Sequence, residues 1–104
     1  MPAYANQLAK AARRGDLVSV NHRLTGLLAS YFDVLFAVNR VPHPGEKRLV
    51  EAAVASCRRL PVGFADDVDD LLRTATADLA GLPARVDRLL DRLDELLRAE
   101  GLLA

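Results

Sequence analysis

The chain has 104 residues, and its 14 basic and 14 acidic side chains leave a formal net charge of zero. That length holds one domain with a core of its own, and a composition 51% apolar and 27% charged excludes a disordered chain. A neutral chain casts no field toward nucleic acid or an anionic membrane, no apolar run reaches the roughly 20 residues that span a bilayer, and a single cysteine, Cys57, excludes an intrachain disulfide.

With five aromatic residues and no Trp, the core must be aliphatic, built from Leu, Val and Ala. That choice favours helix. The first predicted helix runs from about Ala3 to Arg14, with Leu8, Ala11 and Ala12 on its apolar side. Arg13 and Arg14 suit its negative end. Gly15 is placed to close it in a left-handed conformation, and Asp16 to cap the next helix. The second helix spans about Leu17 to Asn39, with Leu17, Leu24, Leu28, Tyr31, Leu35 and Val38 on one stripe. Val20, Leu27, Phe32 and Phe36 widen it, as expected of a central helix.

Pro42 and Pro44 stop that helix. A third helix is expected from about Gly45 to Arg59, with Leu49, Val50, Ala53, Val54 and Cys57 inward. Leu60-Pro61-Val62-Gly63 is the next break. A fourth helix, about Phe64 to Ala80, turns Phe64, Val68, Leu71, Leu72, Ala75 and Leu79 inward. The fifth, about Pro83 to Glu100, carries Val86, Leu89, Leu90, Leu93, Leu96 and Leu97 on its inner stripe, and Arg85, Arg88, Arg92 and Arg98 on its outer face. No alternating strand pattern occurs. The expected fold is all-α, one domain over 1–104, an antiparallel four-helix bundle with a short additional N-terminal helix.

Chemistry concentrates at one corner. Asn39, Arg40, His43, Glu46 and Lys47 gather where the second helix meets the two prolines. Arg40, His43 and Lys47 form a candidate anion site, with Lys47 expected in the first turn of the third helix, where free amides favour phosphate. Asp66-Asp67-Val68-Asp69-Asp70 matches an aspartate-rich D-D-x-x-D pattern of magnesium–diphosphate enzymes, but those need a much larger helical barrel. Acidic residues at a helix start are ordinary, and a solvated face is expected. Two histidines, His22 and His43, and one cysteine leave no zinc spacing.

The succession Arg14-Gly15-Asp16, then Leu35-Phe36-Ala37-Val38-Asn39-Arg40, Pro42-His43-Pro44-Gly45-Glu46-Lys47 and Arg58-Arg59-Leu60-Pro61 resembles the C-terminal helical domain of bacterial nucleotidyltransferase-like proteins. Such domains are similar to those of aminoglycoside nucleotidyltransferases and, more distantly, to HEPN domains. The resemblance covers about Leu8 to Leu102. It implies an accessory role in walling a nucleotide and substrate cleft, with Asn39 and Lys47 carried over as cleft contacts. The catalytic domain of such enzymes bears a Gly-Ser or Gly-Gly turn and paired aspartates for magnesium. This sequence has neither dipeptide, so the chain alone is not expected to transfer nucleotides or to hold a cofactor. Magnesium-nucleotide would come through the missing catalytic domain. Expected partners are that domain or a second copy, in the cytoplasm. One alternative is a HEPN-like RNA-processing toxin with Arg40 and His43 as its acid–base pair, although only two residues separate them. The other is a structural bundle that homodimerises.

Overall fold

Asp16 decides where the second helix begins. Its carboxylate accepts from the Ser19 backbone N–H at 3.2 Å and from the Ser19 hydroxyl at 2.8 Å, which satisfies the free first turn. The structure, a computed structural model, describes residues 2–103. Its helices are α1 (Pro2–Arg14), α2 (Leu17–Val38), α3 (Leu49–Ser56), α4 (Phe64–Thr74) and α5 (Leu82–Ala99). The chain is all-α, and the helices pack as a bundle.

One face of α2 supplies much of the core: Val20, Leu24, Leu27, Tyr31, Phe32, Leu35 and Phe36 are all buried. Leu8, Ala11 and Ala12 of α1 pack on it, and α1 also lies against α5. The helix expected to be a short addition is therefore a full member, and the shortest helix is α3, with 8 residues. Phe64 of α4 stacks on Tyr31, ring centroids 6.3 Å apart and planes 3° from parallel. Leu82, Val86, Leu89 and Leu93 of α5 close the core. Burying one such aliphatic or aromatic side chain stabilises the fold by about 1.5–3 kcal/mol.

Two helices are shorter than the sequence predicts. The third begins at Leu49 rather than Gly45, because Gly45 (φ +98°) and Arg48 (φ +51°) both lie outside helical backbone. It stops at Ser56 rather than Arg59, because Cys57 is extended. Lys47 accordingly precedes the helix instead of lying in its first turn. The fourth stops at Thr74 rather than Ala80. The Thr74 hydroxyl donates to the Asp70 carbonyl at 2.6 Å, and the Asp78 carboxylate accepts from the Gly81 N–H at 3.1 Å. Short polar side chains that bond nearby backbone compete with continued helix.

Three residues expected inside are exposed: Leu17, Val54 and Leu72. On so short a helix as α3, Ala53 points inward and Val54, one position on, is rotated away from the stripe. Leu72 has the same relation to buried Leu71.

The acidic start of α4 is also not the solvated face expected. Asp67 and Asp70, three residues apart, share the side of α4 that meets α5. Arg92 Nη1 donates to both Asp67 oxygens, at 3.0 and 2.8 Å, and Arg85 Nε donates to Asp70 at 2.9 Å. Later α4 residues thus meet earlier α5 residues, as antiparallel neighbours must. Arg85 and Arg92, expected on the outer face of α5, lie at this seam, half-buried. Asp66 and Asp69 do face solvent.

Candidate functional site

Asn39 is the hinge of the polar corner. It follows the last residue of α2, and its side-chain amide donates to Leu35 O at 2.9 Å and to Arg59 O at 2.8 Å. Its carbonyl Oδ1 accepts from the Arg59 backbone N–H at 2.7 Å. One side chain therefore holds both backbone groups of Arg59, as a neighbouring strand would. Only Asn and Gln carry the planar carboxamide that sets a donor nitrogen beside an acceptor oxygen, and the stem of Gln is one methylene longer.

This clamp joins segments twenty residues apart in sequence. It sets the α2–α3 loop beside the α3–α4 connection, with Arg40 next to one partner and Arg58 next to the other. The Arg59 side chain meanwhile bonds Glu100 at 3.3 Å, just beyond α5. The connection is thus pinned on two sides. Beside it, Leu60, Pro61 and Val62 face Leu96, Ala99 and Arg92 across a groove of about 180 Å³.

His43 packs its ring near Phe36, with centroids 5.2 Å apart. Its Nδ1 accepts from the Gly45 N–H at 3.0 Å, so Nε2 bears the proton of the neutral ring. Arg40, His43 and Lys47 are all exposed. Arg48 and Arg58, which the sequence reading left out of the corner, are exposed too. Arg40, Lys47, Arg48 and Arg58 join no ion pair among the described residues. Nothing in the local pattern at Arg58 announces its position. Only the Asn39–Arg59 bonds bring it to the corner.

Unpaired cations also stand elsewhere: Lys10, Arg13, Arg23, Arg88 and Arg98 join no ion pair among the described residues, whereas other arginines do. Arg14, Arg73, Arg85 and Arg92 each hold a carboxylate at 3.3 Å or less. Their cationic charge is spent locally, whereas that of the corner remains available to an anion. The hydrogen bonds from Ser19 hold the Asp16 carboxyl below its ordinary range. The hydrogen bond from Arg85 lowers that of Asp78.

Elsewhere, Cys57 is buried and its thiol is pushed up by burial, which makes it a packing residue rather than a nucleophile. His22 is exposed on α2. Tyr31 is fully buried, and its hydroxyl has no hydrogen-bond partner. Burial, aided by the negative charge of Asp67, raises that phenol far above its ordinary range.

Among the described residues, no three His, Cys, Asp or Glu side chains are grouped to hold a metal ion. No helix there is long and apolar enough to cross a membrane. The chain matches no family model, no curated protein and no solved structure.

Proposed function

We propose that this chain is an accessory helical domain of the kind that follows the catalytic domain in bacterial nucleotidyltransferase-like proteins. In this reading the corner of Asn39, Arg40, His43 and Lys47 faces the phosphate-bearing substrate, and a separate catalytic domain supplies magnesium and the chemistry. The observation that carries it is the Asn39 clamp on Arg59. The clamp sets the segments that carry Arg40 and Arg58 side by side, and neither arginine joins an ion pair among the described residues.

Asn39 braces the corner from within, since its polar atoms are taken up by backbone. Arg40 and Lys47 meet phosphate charge, and His43 offers Nε2 as a donor to an oxygen. A cytoplasmic setting, where nucleotides are abundant, agrees with the single buried Cys57.

The test is a titration of the chain with magnesium-ATP, followed by amide NMR, on wild type and on Lys47→Ala. Shifts clustered over residues 39 to 49, and weakened in the variant, are the expected outcome. No shifts at millimolar ligand would refute the reading.

A further inference from the structure

Between Pro42 and Lys47 the chain makes no backbone–backbone hydrogen bond. Two of those residues are prolines, which have no N–H to give. The segment is held by one side chain instead. His43 Nδ1 accepts from the Gly45 N–H at 3.0 Å, which closes a small turn over Pro44. The same imidazole packs against Phe36, with ring centroids 5.2 Å apart and planes 59° from parallel. Phe36 is 1% exposed, while His43 itself is open to water. Phe36 in turn lies 6.4 Å from Phe32, which meets Tyr31 and Phe64 edge-on. His43 thus seats the α2–α3 loop on the outer end of an aromatic row that runs into the core.

Its two contacts differ in what they require of the ring. Packing on Phe36 needs only a flat surface. Accepting from Gly45 needs a lone pair on Nδ1, which exists in the neutral imidazole and not in the charged one. Once a second proton is bound, both ring nitrogens are donors, and Nδ1–H would face the Gly45 N–H across 3.0 Å. The attraction of a charged ring to an aromatic face does not restore that bond. Imidazole is the side chain that ordinarily titrates between about pH 5 and 8, and His43 is exposed to the water that delivers the proton.

Nothing around it holds the charged ring in the closed position. His43 joins no ion pair among the described residues. The neighbouring carboxylates, Asp33 on α2, Glu46 on the loop and Glu51 on α3, are exposed. So are the cations of the corner, Arg40, Lys47, Arg48 and Arg58, which repel a charged ring.

We propose that the α2–α3 loop is an acid-opened latch with His43 as its catch. With a neutral ring, the Gly45 turn is closed and the loop rests on Phe36. With a charged ring, the turn opens and the loop lifts away. The latch does not depend on whether the corner meets phosphate.

The experiment is NMR on the full chain between about pH 8 and pH 5, with wild type, His43→Asn and His22→Gln. Imidazole nitrogen shifts give the protonation of each ring, and the NOE between the His43 and Phe36 rings reads the closed loop. In His43→Asn, Oδ1 stands where Nδ1 stood and accepts from the N–H two residues on, as in an Asx turn, without titrating. Wild type at high pH is expected to show a ring protonated on Nε2 and a strong NOE. As the ring charges, the closed-to-open ratio should fall about tenfold, the effect of one hydrogen bond. The NOE should weaken and the Gly45 amide proton move upfield with the same midpoint. His43→Asn should hold the Gly45 amide fixed across the range, and His22→Gln should behave as wild type. A ring that charges while the NOE and the Gly45 amide stay unmoved would overturn the latch. So would a Gly45 amide that still shifts with pH in His43→Asn, or a transition abolished by His22→Gln. A neutral ring protonated on Nδ1 would remove the bond on which the inference rests.

Discussion

Replacing Asn39 by alanine removes three hydrogen bonds at once, two of which tie the end of α2 to the backbone of Arg59. A hydrogen bond inside a protein contributes about 0.5–1.5 kcal/mol net. The bond to Leu35 O stays within α2, so its loss is felt least. The two bonds to Arg59 are short, at 2.8 and 2.7 Å, and cooperate through one rigid amide plane. Water can reach the freed Arg59 groups, because Arg59 is exposed. The expected loss is therefore about 2 kcal/mol, not the larger penalty of orphaned buried groups. Urea unfolding should show a lower midpoint with an unchanged slope, and the melting temperature should fall by about 10 °C. Hydrogen exchange gives the local readout: the Arg59 amide is protected in wild type and exposed in the variant. Asn39→Asp should cost more, because a carboxylate can accept from Arg59 but sets its second oxygen against two carbonyls. A loss under about 0.5 kcal/mol, with Arg59 still protected, would refute the clamp as the element that holds the corner.

Gly63→Ala forces a Cβ into left-handed backbone and to 2.7 Å from Arg92 Nη1, so a loss of about 1–2 kcal/mol is expected in chemical denaturation. Gly15→Ala meets nothing within 4 Å and should show only the strain, about 1 kcal/mol, which makes it the control. Tyr31→Phe removes a buried hydroxyl without a partner and should leave stability unchanged or raise it by up to about 1 kcal/mol. A clear loss in that variant would mean that the hydroxyl is bonded. The carboxyl of Asp16 is lowered in the folded chain, chiefly by the Ser19 hydroxyl. Its contribution is thus present above the ordinary carboxylate range and lost as pH falls through the folded value. Acid unfolding of Ser19→Ala should accordingly be less steep than that of wild type, and carbon-detected titration should find Asp16 lowered less, because the backbone N–H of residue 19 and the Arg14 guanidinium still bond its carboxylate.

Composition and helical spacing alone determined much of this molecule. The stripe from Val20 to Phe36, the closure at Gly15, the cap at Asp16 and the inner face of α5 are local matters. Each depends on residues within one or two turns, which is the range over which helix period and capping act. The position of the polar corner was legible for the same reason, since Pro42 and Pro44 stop a helix wherever they stand.

What tertiary structure alone decided involves partners far apart in sequence. Asn39 and Arg59 are twenty residues apart, Asp67 and Arg92 twenty-five, and no local pattern couples either pair. The true start of α3 depended on Arg48 being left-handed, a state that local propensity disfavours for arginine and that the surrounding loop imposes. A side chain's charge or amide group can be read from the chain, but what it bonds depends on which helices come to lie side by side.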